Sequence, residues 1–193
     1  GPYIDEAVCF AYYSDDAGRT WMKDAPPITP LDQREKVFQE PGIVELPDGR
    51  LMMYIRTRHG AQYAAYSTDG GIHWTEAGPT ALASPTSPAC IKRIPGTDTL
   101  LCVWNDHTGT HPFPKAEART PLAAAVSRDG GKTWSESKVL AHSDNHNFAY
   151  PSIMFAGDRV VMSYWVHDLK ARRIALRVAD AGLEWLRQDA TKR

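Results

Sequence analysis

Cysteine, net charge and long apolar runs are all scarce in this chain, and each scarcity removes a class of function. Only three cysteines occur among 193 residues, Cys9, Cys90 and Cys102. An odd number with no CxxC spacing argues against a disulfide framework and against a thiolate metal site. Cys90 and Cys102 flank a turn-forming stretch, Pro95 to Asp98, and would face each other in one strand register and point apart in the next. The simpler reading is free buried thiols. Lys and Arg total 22 against 23 Asp and Glu, a net charge of −1. That balance offers no bulk electrostatic attraction to nucleic acid or an anionic membrane. No run of about 18 apolar residues is present, so no transmembrane helix is expected. Helix signals are nearly missing too, apart from a turn toward the C-terminal tail. These counts leave the compartment open, with a secreted or periplasmic setting favoured.

What the chain does have is a repeat. Ser127 to Trp134 reads Ser-Arg-Asp-Gly-Gly-Lys-Thr-Trp, Ser14 to Trp21 reads Ser-Asp-Asp-Ala-Gly-Arg-Thr-Trp, and Ser67 to Trp74 reads Ser-Thr-Asp-Gly-Gly-Ile-His-Trp. A worn copy, Val178 to Trp185, keeps the Asp, the second Gly and the Trp. The copies start at positions 14, 67, 127 and 178, at intervals of 53, 60 and 51 residues. Ser and Asp side chains bond nearby backbone N–H groups and Gly supplies positive φ, so each copy predicts a self-contained hairpin turn. The Trp buries a large ring and can donate its indole N–H, which would pin the turn to its sheet. Repeats at this spacing, each closing on a tight turn, predict an all-β chain of stacked four-stranded blades, a β-propeller.

At about 50–60 residues per blade, within a ring that takes typically four to eight, the chain supplies about three and a half blades. A partial ring exposes two sheet faces and edges, so a missing N-terminal half or another polypeptide is expected to close it. Residues 7–13 lead into the first turn, and a connection rich in Pro and charge spans Asp24 to Gln39. The second blade is read at Gly42–Leu46, Arg50–Thr57, Gln62–Ser67 and a strand from His73. The third runs Ala89–Ile94, Thr99–Trp104, Pro121–Ser127 and Thr133–Leu140. The fourth runs Tyr150–Phe155, Arg159–Val166, Arg172–Val178 and a short end near Trp185. One connection is far longer than a hairpin loop, Asn105 to Thr120, and is the best candidate for a binding lid.

Four polar residues stand out against this apolar lattice. Glu40 precedes Pro41-Gly42 at the head of a strand. Arg56 interrupts the apolar strand Leu-Met-Met-Tyr-Ile-Arg, with Arg58 as its fallback. Arg119 closes the long loop, and Tyr150 follows the polar cluster Asn145-His146-Asn147. Singly, each also reads as a solvated charge or a packing aromatic. Asp106, His107, His111, His146 and Asn147 could line a pocket, although their spacing carries no metal signature. Arg93, Arg159 and Arg177 read as solvated positions. No cofactor is called for.

Taken with the repeats, these four positions resemble the bacterial exo-α-sialidase (neuraminidase) family, whose members are six-bladed propellers bearing such Asp boxes. The resemblance covers essentially residues 1–193 and corresponds to the family's C-terminal half or somewhat more. It implies that Glu40, in Gln-Glu-Pro-Gly, is the catalytic Glu. By the same resemblance Arg56 and Arg119 grip the substrate carboxylate, and Tyr150, in Asn-Phe-Ala-Tyr, is the nucleophile. The implied substrate is a terminal sialic acid on a glycoconjugate. That sugar carries a carboxylate on its anomeric carbon and would repel an anionic nucleophile, so a neutral phenol suits it. Two departures matter. The family's third arginine and its acid/base Asp belong to the N-terminal half and have no match here, since Asp5, Asp15 and Asp16 lie too close to Glu40. Pro151 also stands where the family commonly has a small polar residue. The expected activity is therefore that of a retaining exo-sialidase or a fragment of one, with a non-catalytic glycan- or protein-binding propeller as the alternative.

Overall fold

The computed structural model describes residues 6–22, 26–32 and 36–187. Asp5, part of the connection from Asp24, and the tail beyond residue 187 lie outside the described residues. Among the described residues the regular secondary structure is all β apart from a terminal 3-10 turn. β1 (Gln39–Glu45), β2 (Leu51–Arg56), β3 (Ala61–Ser67) and β4 (Gly78–Ala83) form one antiparallel sheet in sequence order. β5 (Cys90–Arg93), β6 (Leu100–Asn105), β7 (Leu122–Ser127) and β8 (Lys138–Ala141) form a second. β9 (His146–Ala156), β10 (Arg159–Asp168) and β11 (Arg173–Gly182) make a third of three strands. The first strands lie side by side, β1 on β5 and β5 on β9. This is the expected partial propeller: two complete blades, a three-stranded one, and an N-terminal segment joined by isolated bridges such as Cys9 to Ile28 and Pro30 to Ala77.

Alternation along each middle strand builds the core. On β2, Met52 and Tyr54 face the third-blade side while Met53 and Ile55 face the N-terminal segment. On β6, Leu100, Cys102 and Trp104 face the second blade, and Leu101 and Val103 face the last. Middle strands are thus apolar on both faces because both faces are buried, which is why they read as continuous runs. The β5–β6 register pairs Cys90 with Val103 and Cys102 with Ile91, so the two thiols belong to opposite faces and stay free.

Three Asp boxes form turns and one does not. At 127–134, Ser127 Oγ donates to Asp129 Oδ1 (2.8 Å) and accepts from Gly131 N (2.9 Å), while Asp129 accepts from Thr133 N (2.9 Å) and Thr133 Oγ1 (2.5 Å). The copies at Ser14 and Ser67 repeat the pattern, with His73 Nδ1 against Asp69 Oδ2 (2.7 Å) in place of a threonine hydroxyl. The indole N–H of Trp21 and Trp74 donates back into the turn, to Gly18 O (3.1 Å) and Gly71 O (2.9 Å), so it braces the turn itself and not a strand. The worn copy is corrected. Val178 to Gly182 continues β11, and Leu183–Arg187 is a 3-10 turn. Val178 has no hydroxyl to receive the glycine N–H, and Asp180 instead holds Arg159 Nε (2.8 and 3.0 Å).

Other boundaries moved for similar reasons. The last strand of the second blade begins at Gly78 instead of His73, because His73 is consumed by its box. Pro79 and Pro41 sit within edge strands, where no inward N–H is required. β9 begins four residues ahead of Tyr150, which therefore lies inside a strand.

Candidate active site

Glu40 and Tyr150 are placed by the same backbone device. In β1, Gln39 pairs with Arg56 and Gly42 with Tyr54, leaving Glu40 and Pro41 opposite the single residue Ile55. In β9, Ala149 pairs with Trp165 and Ser152 with Ser163, leaving Tyr150 and Pro151 opposite Tyr164. Both are bulges, which re-aim a side chain out of the strand's alternation. Glu40 has φ +50° and Tyr150 φ +54°, left-handed conformations that non-glycine residues adopt at a cost of about 1–2 kcal/mol. Strain of this kind persists where surrounding structure over-determines it, and it clusters at functional sites. Gly42 is required beside the first bulge, since a Cβ there would lie 2.2 Å from the Tyr54 ring.

The two bulges turn their side chains toward each other. Tyr150 Oη donates to Glu40 Oε1 at 3.3 Å, and Arg56 Nη1 donates to the same oxygen at 2.8 Å. Arg56 sits at the end of β2, its side chain 13 % exposed against 35 % for Glu40. Its Nε is buried without a partner, so the guanidinium spends its hydrogen bonds at the outer end. Arg119 Cζ stands 5.9 Å from the centre of the Tyr150 ring, a cation over a phenol face. Trp165 packs against the Tyr150 ring edge-on, 6.1 Å between centroids at 88°. Tyr150 itself remains half exposed. Glu40, Arg56, Arg119 and Tyr150 thus converge on one mouth, at the end of the sheets opposite the Asp boxes. Arg58, two residues beyond Arg56 and past the end of β2, is exposed.

The remaining pocket candidates hold the scaffold. Asp106 is 1 % exposed and turned inward, accepting from Thr108 N (2.8 Å), Thr108 Oγ1 (2.6 Å) and the Ser137 hydroxyl, so it fastens the long loop and does not line a pocket. Asn147 Oδ1 accepts from Arg119 N at 3.0 Å, which positions the arginine's backbone from the tyrosine's own strand. His107 stacks on Phe113 (3.8 Å, 4°), contacts Thr120 O through Nε2 (3.2 Å), and is held below the ordinary histidine pKa by burial. His111 Nε2 meets Ser137 Oγ at 3.1 Å. The stretch expected as a lid is therefore fastened at its base and along its length. His146 Nδ1 meets Ser143 Oγ at 2.9 Å and its Nε2 faces Asp168 at 3.7 Å. Trp165 and the buried Asn105 went unnoticed in the sequence. Asn105 did carry a signal, a polar residue closing the otherwise apolar Leu-Leu-Cys-Val-Trp.

Comparison with known proteins places the chain in a family. Residues 3–162 match the BNR repeat-like domain. The chain belongs to the BNR repeat-like family. Within it the likeness is to bacterial sialidases: the sialidase of Micromonospora viridifaciens is 32 % identical over 138 residues, covering 66 % of this chain and 19 % of that protein. Solved structures share the fold. A leech intramolecular trans-sialidase, complexed with 2,7-anhydro-Neu5Ac, aligns with a TM-score of 0.67 at 18 % identity over 91 % of this chain and 27 % of its own. An intramolecular trans-sialidase from Ruminococcus gnavus gives 0.66 at 20 % over 92 % and 38 %. A Dyadobacter fermentans protein of unknown function gives 0.64 at 21 % over 88 % and 44 %. This BNR repeat-like chain thus spans about a fifth of its curated relative and between 27 % and 44 % of these structures.

Proposed function

We propose that, within a complete propeller, this chain supplies the nucleophilic half of a retaining exo-sialidase site acting on terminal sialic acid of glycoconjugates. The observation that carries the reading is Glu40 Oε1, which receives both Tyr150 Oη and Arg56 Nη1. Phenol has a pKa near 10, so attack by Tyr150 on the anomeric carbon needs a base, and Glu40 is within reach of its proton. As the new C–O bond forms, the aglycone leaves; water then breaks the tyrosyl–sugar bond with retention. Arg56 and Arg119 would bind the sugar carboxylate by charge-assisted, forked hydrogen bonds. Arg119 above the Tyr150 ring would also stabilise the anionic character of the attacking phenol.

Ring closure is part of the proposal. β11 presents Ile174, Leu176 and Val178 at 62, 81 and 66 % exposure, and Met154 on β9 is 59 % exposed. Val8, Phe10 and Tyr12 are exposed at the other end of the chain. Apolar faces of this kind are what neighbouring blades cover, and an N-terminal half or another chain would cover them here. A secreted or periplasmic setting belongs to the same reading; no helix among the described residues is long and apolar enough to cross a membrane.

The test is a fluorogenic sialoside assay on the protein with its propeller complete, with Tyr150→Phe beside it. Turnover that Tyr150→Phe abolishes supports the proposal, and turnover that survives removes Tyr150 from the chemistry. The alternative reading is a propeller that binds sialosides without cleaving them. Sialoside binding without hydrolysis would establish it.

A further inference from the structure

A chain of buried polar side chains runs through all three blades beneath the mouth. Gln62 on β3, 1 % exposed, donates through Nε2 to Ser84 Oγ (2.9 Å) and Ser87 O (2.8 Å). Ser87, fully buried, donates its hydroxyl to Asn105 Oδ1 (2.7 Å). Asn105, also fully buried at the end of β6, spends both amide protons on backbone carbonyls, Phe148 O (3.1 Å) and Pro121 O (3.4 Å). The amide can stand only this way round, because its reverse would set an oxygen against two carbonyl oxygens.

The two carbonyls are chosen places. Phe148 lies two residues before Tyr150, and Pro121 two residues after Arg119. The same segments are tied again by Phe148 N to Arg119 O (2.8 Å) and by Arg119 N to Asn147 Oδ1 (3.0 Å). A hydrophobic residue would serve the core here at less risk, since a buried amide left partly unmade is destabilising. We infer that Asn105 is a positioning residue. It clamps the strand bearing Tyr150 to the strand following Arg119, and so sets the distance between phenol and guanidinium. Ser87 orients that clamp and Gln62 links it to the blade bearing Glu40 and Arg56. The inference rests on the reading of Tyr150 and Arg119 given above, and deepens it. A displacement of about 1 Å at a reacting group can cost around a hundredfold in rate.

Two measurements separate the clamp from the chemistry. Asn105→Asp keeps the shape and removes both donors; Ser87→Ala is the milder variant, leaving the amide but not its orienter. Ser127→Ala, in an Asp box at the far end, is the control for plain loss of stability. Hydrogen exchange on the full chain should quicken about tenfold or more in segments 117–121 and 146–152 in Asn105→Asp, less in Ser87→Ala, and not at all in Ser127→Ala. Equal exchange in all three overturns the clamp. On fluorogenic sialoside, in the propeller-complete protein, Asn105→Asp should lower kcat about tenfold to a hundredfold with KM changed under threefold. Wild-type kinetics in a folded Asn105→Asp also overturns it. A wild-type protein silent on sialosides sinks the sialidase reading, and the exchange result then decides the clamp alone.

Discussion

At one end of the sheets two of the three box turns are carried by left-handed glycine pairs; at the other, two left-handed positions are held by Glu40 and Tyr150. Gly70 and Gly71 (φ +77° and +97°) and Gly130 and Gly131 (φ +73° and +86°) turn the boxes without a Cβ to strain. Each box then bonds its own hydroxyl and carboxylate within eight residues of sequence, although the Trp134 indole N–H finds no partner. The mouth is the reverse. Two of its φ-positive residues, Glu40 and Tyr150, carry large side chains that meet, and that contact joins residues 110 apart in sequence. One end is a local device repeated for stability. The other stores strain and depends on three blades keeping their relative places.

Substitutions can break this contrast, and the largest effect should fall at the mouth. Tyr150→Phe is expected to lower kcat in the propeller-complete enzyme by a thousandfold or more, since it removes the attacking atom, while the unfolding midpoint stays near wild type. An equal loss in stability would mean that the phenol is a structural group. Next is Gly42→Ala, whose Cβ would meet Tyr54 ring atoms at 2.2–2.5 Å. Overpacking should cost about 1–3 kcal/mol in urea unfolding and disturb Glu40 two residues away, so stability and kcat fall together. By comparison Gly131→Ala, at φ +86° with Met52 Sδ at 3.4 Å, should cost about 1–2 kcal/mol and leave kcat alone. If Gly131→Ala also slowed turnover, the two ends would not be separable.

A smaller and opposite effect is available in the first box, where Ala17 occupies the left-handed position (φ +60°) that Gly70 and Gly130 hold in the others. Ala17→Gly should therefore stabilise by about 1 kcal/mol or less, read as a higher urea midpoint. The boxes should also show a pH signature. Hydrogen bonds from Thr20 and Ser14 lower Asp16 to about 2, those from Thr133 and Ser127 lower Asp129 to about 2, and those from His73 and Ser67 lower Asp69 further. Because these carboxyls are more acidic folded than unfolded, their contribution is complete above about pH 4. It fades as pH falls toward 2. An acid-unfolding curve of Asp129→Ala should accordingly be flatter than wild type between pH 4 and 2; superimposable curves would remove Asp129 from acid stability.

The same contrast explains what was legible in the sequence. The boxes were readable because each is a complete chemical sentence: a hydroxyl, a carboxylate, residues able to go left-handed, and an indole. Where one element is missing, as at Val178, counting the surviving Asp, Gly and Trp misleads, and the chain stays a strand. The identities of Glu40, Arg56, Arg119 and Tyr150 came from their order along the chain and a family likeness. Their geometry could not, because a bulge opposite Ile55 or Tyr164 depends on a partner strand. Pro41 and Pro151 were the available clue, since proline inside a strand marks a bulge or an edge. Asp106 misled because a charged loop residue looks solvated until its partners, Thr108 and Ser137, are known.

The out-of-phase cysteines have a practical outcome for handling the molecule. Cys9, Cys90 and Cys102 are all buried, and burial raises each thiol's pKa, Cys9 to about 11. Thiolate is the reactive form, so alkylating reagents should label the native protein slowly and the urea-unfolded protein at once. Once folded, the blades should hold equally well in a reducing or an oxidising medium, because the three thiols are free and shielded.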